Sequence, residues 1–284
     1  MSVSFNLALR ARIHRYLNQD SVIAERKNNF RSVHLGRKVE LDIFLPPDYF
    51  SEKEQYPVLY FNDGQDMTDI KLEQTLEELY FQNRIKRIIV VAVHCSNSRV
   101  QEYGTASSPD FAKRGSQAGK YTDFVTKELV PYINSRYHTL TEPKNTAFAG
   151  FSLGGLSALD VSWAHPELFA NVGIFSGSLW WRKKALDKGY TDADRIMHTI
   201  IREGEIREGM KFWFQTGTND ETKDRNKNGV IDSIDDTLDL IKELKTKGYS
   251  LEQNVRYLEI KGGKHNQETW AEALPDFLEW TFKK

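Results

Sequence analysis

Cysteine and net charge are what this sequence has least of. Its 284 residues include one cysteine, Cys95, so no intramolecular disulfide can form, which fits a reducing compartment. Lys plus Arg number 39 and Asp plus Glu number 40, giving a formal net charge of -1. Because a general nucleic-acid binder has an excess of basic residues, this balance argues against nucleic acid as a partner.

Long apolar runs are also missing. No stretch approaches the roughly 20 apolar residues that a membrane helix needs, so no membrane partner is expected. Residues 1–18 contain three arginines and lack both an uncharged apolar region and a small-residue cleavage site, so they are not typical of a secretory signal. We therefore expect a cytoplasmic protein, with a periplasmic or secreted mature form as the alternative.

Apolar residues are nevertheless numerous enough for a large folded core. Hydrophobic residues make up 39% of the chain and aromatic residues 12%, which excludes a disordered chain. Two early segments, 30–35 and 39–45, have the pattern of paired strands joined by a turn at Gly36 and Arg37. Five nearly continuous apolar runs suit strands covered on both faces, as in a parallel sheet: 56–62, 87–94, 146–151, 172–175 and 212–215, with a further strand at 255–260.

Helical patterns lie between these strands. They cover residues 5–17, 72–81, 121–137 with a kink at Pro131, 156–165, 233–247 and 268–282. This alternation predicts an α/β fold with a doubly wound, mostly parallel sheet that begins with antiparallel strands. We expect residues 1–29 to form a helical extension and residues 30–284 to form one domain. Residues 180–210 would then be an insertion near the carboxyl edge of the sheet.

The strongest functional motif is Gly-Phe-Ser-Leu-Gly-Gly at residues 150–155. It follows an apolar strand and precedes a helix of small residues, the context of a G-x-S-x-G nucleophile elbow. Gly150 and Gly154 remove side chains that would collide in the tight turn, which leaves Ser152 Oγ exposed. The backbone N–H of Leu153 would donate to an oxyanion at the helix N-terminus. The alternative is a glycine-rich turn whose serine only caps the helix.

A nucleophilic serine needs a base and a group that orients the base. In this architecture the acid and then the histidine follow the serine along the chain. His265 lies between the last predicted strand and the last helix, at the same rim as Ser152; a solvated surface histidine is the alternative. Asp220 and Glu221 both follow the preceding strand, and Asp220 is preferred because it is nearer the strand end. Gln65, in the loop after the third strand, is our candidate for the second oxyanion N–H donor.

Several segments resemble the Putative esterase family of α/β-hydrolases, which includes enterochelin esterases, S-formylglutathione hydrolases, feruloyl and acetylxylan esterases, and mycolyltransferases. The resemblance runs from about residue 38 to the end, over segments 45–49, 56–65, 128–133, 150–155, 166–169, 176–178 and 262–266. It implies an α/β-hydrolase fold and ester hydrolysis by Ser152, Asp220 and His265, with no cofactor for catalysis.

The Asp-Gly-Gln at 63–65, combined with the elbow, points to the enterochelin-esterase-like branch. Enterochelin esterases have an extra N-terminal β domain that helps to hold the siderophore. This chain has only about 30 residues there, which argues against siderophore hydrolysis.

A second motif, at residues 224–235, matches the spacing of an EF-hand calcium loop. Position twelve is aspartate where glutamate is usual, and no helix precedes the loop, so we expect modest affinity for Ca²⁺ or tolerance of Mg²⁺. The alternative is an Asn-Gly turn in a polar loop. The cation would be structural and would hold the segment that contains Asp220. The predicted ligands are Asp224, Asn226, Asn228, Val230, Asp232 and Asp235.

Other polar and aromatic residues follow strand ends and should lie at the same rim. They could line an acyl or sugar pocket, or only pack the rim: His94, Arg99, Tyr103, Trp180 and Trp181.

Together these features predict a serine esterase that acts on a small-molecule ester through an acyl-enzyme intermediate. A thioesterase or an acyltransferase with the same residues is the alternative within this class. Alternatives from other classes are a hydrolase scaffold that binds without turnover and a calcium-dependent carbohydrate-binding protein.

Overall fold

The computed structural model describes residues 21–51 and 54–284, so the predicted helix at 5–17 lies outside the described residues. One eight-stranded sheet runs through the domain in the order β1-β2-β4-β3-β5-β6-β7-β8. Its strands are β1 (Ile23–Ser32), β2 (Arg37–Leu45), β3 (Val58–Asn62), β4 (Ile89–Val93), β5 (Thr146–Phe151), β6 (Asn171–Phe175), β7 (Lys211–Asn219) and β8 (Val255–Lys264).

The pairing of the strands confirms the predicted architecture. β1 pairs with β2 and β2 with β4 in antiparallel orientation, and all the remaining pairs are parallel. β1 begins at Ile23, well before the predicted start at residue 30, so residues 23–29 belong to the sheet and not to a helical extension. Most residues in this part of β1 are exposed or half-buried, so they lack the apolar pattern that marks a strand. The ladder with β2 pairs Ile23 to Lys27 instead, beginning with Ile23 opposite Leu45, and an irregularity follows before Phe30.

Eight α-helices of the described chain cover the two faces of the sheet. They are α1 (Leu72–Phe81), α2 (Arg99–Glu102), α3 (Ala118–Asp123), α4 (Val130–Arg136), α5 (Leu153–Ala164), α6 (Ile196–Glu203), α7 (Asp232–Thr246) and α8 (Gln267–Phe282). The apolar sides of α1 and α8 share one core cluster, while those of α3 to α7 contribute to the other. None of the helices in the described ranges is both long and apolar enough to cross a membrane.

The central strands are buried on both faces because helices pack closely on each side. Every residue of β3, β4, β5 and β6 is buried. Gly173 shows how close the packing is, since a Cβ placed there would lie 2.5 Å from Phe277 Cε2 on α8. Burying one such aromatic side chain contributes about 1.5–3 kcal/mol to folding, so this close approach favours the observed position of α8.

The predicted helix at 121–137 is divided in the structure. A π-helical segment, Phe124–Leu129, separates α3 from α4, and Pro131 lies just after it. Proline lacks the N–H that a regular helix uses at this position, so the irregularity that was expected as a kink occurs as a wider turn. On α3, Tyr121 Oη donates to Asn62 Oδ1 at 2.5 Å, and Asn62 Nδ2 donates to the Gly154 carbonyl at 2.8 Å.

The insertion contains a helix, α6, that we did not predict. The apolar pattern of this helix is short, and the charged residues on both sides obscure it. In the structure Ile196, Met197 and Ile201 are all buried. α6 packs against α7, and His198 Nε2 bonds to the Asp236 carbonyl at 2.8 Å in the buried interface between them. The insertion is therefore joined to the segment that follows the predicted metal loop.

Candidate active site

Ser152 lies at the tight turn between β5 and α5, as the motif predicts. Its φ of 52° and ψ of -120° are unusual for a residue with a side chain and cost about 1–3 kcal/mol. The Ser152 N–H donates to the Phe175 carbonyl at 2.8 Å, and Ser178 N–H donates to the Ser152 carbonyl at 3.0 Å. These bonds to the end of β6 and the loop after it hold the turn in its strained conformation.

The glycines of the motif are required by space. A Cβ on Gly150 would lie 2.5 Å from the Gly154 carbonyl carbon, and a Cβ on Gly154 would lie 2.6 Å from Asp63 Oδ2. The first N–H groups of a helix have no partner within it, so the N–H of Leu153, the first residue of α5, is available to an anion. The turn therefore presents a hydroxyl and an anion-binding helix N-terminus together.

His265 and Asp220 meet at the carboxyl edge of the sheet. His265 lies between β8 and α8, and its Nδ1 is 3.9 Å from Asp220 Oδ1. This separation is longer than a hydrogen bond, as is common at catalytic pairs before substrate binds. The other Asp220 oxygen, Oδ2, is buried and has no hydrogen-bond partner among the described residues. A rotation of the imidazole could supply that missing donor.

Asp220, and not its neighbour Glu221, faces the histidine. The Asp220 side chain is 1% exposed beside His265, whereas Glu221 accepts a hydrogen bond from the Ser233 N–H at the start of α7. Burial raises the pKa of Asp220 and lowers the pKa of His265. The lowered pKa of His265 favours a neutral imidazole near pH 7, which is the form a general base needs.

Two residues of the site were missed in the sequence. Ser176 Oγ donates to Asp220 Oδ1 at 3.1 Å, and Trp270 Nε1 donates to Ser176 Oγ at 3.1 Å. The Trp270 ring stacks on Phe151 with centroids 4.5 Å apart, and its edge contacts the His265 ring. Two features of the sequence could have indicated these residues: the Ser-Gly-Ser at 176–178, and a tryptophan in the first turn of α8.

The loop after β3 lies beside the elbow. Gln65 is part of a short 3₁₀ turn, Gly64–Asp66, and its Oε1 accepts from the Cys95 N–H at 3.2 Å. Asp63, which precedes the turn, has a φ of 62° and a buried carboxylate. Arg99 Nε and Nη2 each donate to that carboxylate at 2.7 Å. Arg99 thus lies at the rim as predicted, with two of its donors already bound to the protein.

Comparison with known proteins agrees with this architecture. A family model described as Putative esterase matches residues 32–281. The chain belongs to this family. It is therefore a carboxylic ester hydrolase. One relative, the uncharacterised Bacillus subtilis protein YbbA, is 24% identical over 257 residues, which cover 89% of this chain and 96% of YbbA.

Two solved esterase structures show the same fold. The enterobactin esterase of Shigella flexneri superposes with a TM-score of 0.70 at 19% identity, over 91% of this chain and 59% of that chain. A ferulic acid esterase of Anaeromyces mucronatus, solved with ferulic acid, gives a TM-score of 0.66 at 20% identity, over 93% and 92% of the two chains. At such low identities the similarity supports the fold alone.

Two of the five predicted pocket residues do not line an open pocket in this esterase. Tyr103 and Trp181 are both 0% exposed. Tyr103 Oη accepts from the Asp63 N–H at 3.3 Å, and the Trp181 ring packs against the backbone of Gly104 and Gly115. The sequence pattern placed both residues after strand ends, but it did not distinguish a side chain that faces the solvent from one that packs beneath the rim.

Trp180 is the partly exposed member of the tryptophan pair. The Arg114 guanidinium lies 4.7 Å from the centroid of its ring, and Arg114 also forms an ion pair with Asp110. Ser178 Oγ is 3.3 Å from Ser152 Oγ, and Trp180 follows Ser178 two residues later. Trp180 therefore belongs to the segment that leads from the nucleophile to the insertion.

His94 belongs to a group that could hold a metal ion. One ligand atom from each of Glu40, Asp42 and His94 lies within 4.8 Å of the other two. However, Arg26 Nε and Nη2 donate to the two oxygens of Asp42 at 2.7 Å and 2.9 Å, and His94 Nε2 bonds to Asp42 Oδ2 at 2.8 Å. The Asp42 carboxylate is therefore already paired with a guanidinium.

The predicted calcium loop is closed by its own side chains. The two oxygens of Asp224 accept from the N–H groups of Asn228 and Gly229 at 3.1 Å and 2.9 Å. The side-chain amides of Asn226 and Asn228 both donate to Asp235 Oδ2 at 2.9 Å. Four of the predicted ligands thus lie together. They fit a cation if the two amides turn to present oxygen, the atom that calcium prefers.

Asp232 behaves differently from the other predicted ligands. Its Oδ1 accepts from the Arg225 N–H at 2.8 Å and lies 3.3 Å from Arg225 Nη1. Arg225 Nη2 and Arg195 Nη1 share Asp236 Oδ1 at 2.6 Å and 2.7 Å. Asp232 is therefore already paired with a cation of the protein, and this arginine pair connects the loop to the insertion. Val230, the carbonyl ligand in the prediction, donates its N–H to Asn228 Oδ1 at 2.8 Å.

Proposed function

We propose that this esterase cleaves its substrate with Ser152 as nucleophile, His265 as general base and Asp220 as the group that orients the histidine. The observation that carries the proposal is the strained Ser152 backbone at a strand-to-helix turn, at the edge of the sheet where His265 and Asp220 meet. Strain of this kind persists where the surroundings impose it, and it is concentrated at functional sites.

The reaction would proceed in two halves. Ser152 Oγ forms a bond to the ester carbonyl carbon while His265 Nε2 takes the hydroxyl proton. The oxyanion accepts hydrogen bonds from the Leu153 N–H and from a loop N–H, for which Gln65 is the candidate. The bond to the alcohol oxygen then breaks as His265 returns the proton to that oxygen. Water, deprotonated by the same histidine, attacks the acyl-enzyme and releases the acid with Ser152 restored.

The environment of Asp220 supports its role. The imidazolium formed during the reaction needs a nearby anion, and the buried Asp220 Oδ2 lacks any hydrogen-bond donor among the described residues. Ser176 and Trp270 form a chain of hydrogen bonds that ends on the other Asp220 oxygen. The carboxylate would therefore stay in place while the histidine moves to it.

The test compares Ser152→Ala with Ser162→Ala. Ser162 lies on α5, the helix that follows Ser152, and its buried Oγ has no hydrogen-bond partner in the described parts of the chain, so it provides a matched control. The substrates are p-nitrophenyl esters from acetate to octanoate, ferulate esters and an acyl thioester, which also tests the thioesterase alternative. We expect Ser152→Ala to lose turnover by at least about 10³-fold and Ser162→Ala to keep it.

Labelling with a fluorophosphonate probe completes this test. An activated serine in the wild type reacts with the probe, and Ser152→Ala does not react. Turnover that persists in Ser152→Ala would overturn the proposal. A wild type that neither turns over nor reacts with the probe would instead favour a scaffold that binds without catalysis.

We also propose that the 224–235 loop binds Ca²⁺ as a structural ion. The support is the convergence of Asp224, Asn226, Asn228 and Asp235, of which two are carboxylates. With Asp232 paired to Arg225, fewer charged ligands remain than in a full EF-hand loop, so the affinity should be modest.

Calorimetric titration of the wild type with Ca²⁺ and with Mg²⁺ tests this proposal. Asp224→Asn should weaken Ca²⁺ binding, while Asp187→Asn, which changes an exposed acid outside the loop, should not. The absence of both a binding heat and a Ca²⁺-dependent shift in the unfolding temperature of the wild type would contradict the proposal.

A further inference from the structure

A buried negative charge lies beside the helix that would hold the oxyanion. The Asp63 side chain is 2% exposed, and a Cβ on Gly154 would lie only 2.6 Å from Asp63 Oδ2. Gly154 is in the first turn of α5, next to the Leu153 N–H. The N-terminus of a helix stabilises a nearby carboxylate, but the same carboxylate opposes a second anion at that place.

Arg99 is positioned to remove this conflict. Its Nε and Nη2 bind the two Asp63 oxygens at 2.7 Å each, the bidentate geometry in which a guanidinium holds a carboxylate most strongly. The same Nη2 lies 3.5 Å from the Phe151 carbonyl, directly before the nucleophile. Arg99 also lies over the Tyr103 ring, whose hydroxyl accepts the Asp63 N–H. The Arg99 side chain therefore contacts Asp63 in the loop after β3, the Phe151 carbonyl at the end of β5, and the buried Tyr103 ring.

Asp63 in turn sets the position of the loop. Its φ of 62° is in the left-handed region, and its carbonyl accepts the Asp66 N–H at 3.0 Å, which closes the turn that contains Gln65. Gly64 has no room for a side chain, since a Cβ there would lie 2.8 Å from the His94 ring. The Arg99–Asp63 pair is thus a charged contact that holds the loop beside the elbow.

We propose that Arg99 is a positioning residue of this esterase: it neutralises Asp63 and holds the loop at 63–66 so that an oxyanion can form beside α5. The inference depends on the proposed function of Ser152. Arg99 differs here from a residue that binds a substrate carboxylate, because two of its donors are bound to Asp63. Arg99 acts by holding the loop at 63–66 in place and by compensating the negative charge of Asp63.

The charge of Arg99 also reaches His265. The pKa of His265 is lowered first by burial and also by Arg99, while Asp220 raises it. Among the described residues, Asp66, Cys95, Tyr103 and Tyr121 are other titratable groups near the Arg99–Asp63 pair. Burial raises the pKa of Cys95 to about 11 and holds the pKa of Tyr103 well above its ordinary value, so neither group becomes charged between pH 5 and about 9.

The experiment is a double-mutant cycle on the 284-residue chain with Arg99→Met, Asp63→Asn and the combined variant. Arg99→Met leaves the buried Asp63 charge unpaired, and we expect kcat to fall about 10²-fold with a smaller change in KM. The combined variant removes the charge together with its partner and should recover at least about tenfold of that loss. Arg202→Met, which breaks an exposed pair with Glu243, is the control that should keep wild-type kcat.

The pH profile separates this role from a purely structural one. With Arg99→Met the acid limb of kcat/KM should move to higher pH, because His265 loses a nearby positive charge that lowers its pKa. With Asp63→Asn the limb should move to lower pH, because Arg99 is no longer neutralised. A variant that only unfolds would lower the amount of active enzyme without moving the limb, and thermal unfolding of each variant measures that effect.

Two results would overturn the inference while leaving the proposed function intact. One is an Arg99→Met enzyme with wild-type kcat. The other is a combined variant no more active than Arg99→Met, with an unmoved acid limb in all three variants. Failure of the proposed function would differ from both, because Ser152→Ala would then keep the activity of the wild type.

Discussion

The substitution Gly150→Ala tests whether the elbow works because of its backbone spacing. A methyl group at this position would lie 2.5 Å from the carbonyl carbon and oxygen of Gly154, whereas an ordinary contact begins near 3.4 Å. The first turn of α5 must therefore move by about 0.9 Å. Overpacking of this kind costs about 1–3 kcal/mol, and a displacement near 1 Å at a catalytic group costs about 10²-fold in rate.

The matched control for this prediction is Gly119→Ala on α3. Gly119 has an ordinary helical conformation, and a Cβ there has no neighbour within 4 Å. The same change should stabilise the protein by about 0.5–1 kcal/mol because it removes backbone freedom from the unfolded chain. Thermal unfolding should place the Gly150→Ala midpoint roughly 2–12 °C below wild type and the Gly119→Ala midpoint slightly above it.

Ester turnover completes the comparison. We expect kcat to fall by about 10²-fold in Gly150→Ala and to stay at the wild-type value in Gly119→Ala. The reasoning would be refuted by a Gly150→Ala protein that keeps both wild-type turnover and the wild-type unfolding midpoint. That result would mean that α5 can shift without disturbing the oxyanion site.

Three further predictions concern groups around the site and the core beneath it. Asp220→Asn should lower kcat by about 10⁴-fold with little change in KM, measured by steady-state kinetics, because the amide no longer holds the productive histidine tautomer. Trp270→Phe keeps an aromatic ring against Phe151 but loses the bond to Ser176, so kcat should fall only about fivefold, in line with one hydrogen bond of about 1 kcal/mol. Burial raises the pKa of Asp160 to about 7, so the folded state holds a proton that the unfolded state releases from about pH 4. Wild-type stability should therefore decrease as pH rises from 4 to about 7, and denaturant midpoints at pH 5 and pH 8 should differ less in Asp160→Asn.

The central strands and the elbow could be predicted from the sequence because their signals are local. Strand β5 and helix α1 begin and end where the apolar pattern predicts. The glycine spacing around Ser152 reflects contacts within one turn of chain. The approach of His265 to Asp220 followed from the rule that parallel strands end at one edge.

The remaining features depend on contacts between distant segments. β1 is held by its ladder with β2, which a search for apolar residues overlooks. The Trp270–Ser176–Asp220 chain joins helix α8 to the loops after β6 and β7, and no spacing within any one of these segments reveals it. The burial of Trp181 is set by close packing against glycines 66 or more residues earlier in the chain, so its place next to the partly exposed Trp180 could not be read from the pair itself.

The π-helical segment before Pro131 affects the orientation of α3, the helix that precedes it. A π-helical segment holds one residue more than an α-helix over the same length, so it rotates the helix before it by roughly 100° relative to the helix after it. The rotation of α3 about its axis therefore differs from that of a continuous α-helix, and in this orientation Tyr121 bonds to Asn62, which in turn bonds to Gly154. A regular helix in this place would point Tyr121 elsewhere. The turn that contains Ser152 is thus supported by α3. The orientation of α3 depends on a π-helical segment that is not itself part of the Tyr121–Asn62–Gly154 chain of hydrogen bonds.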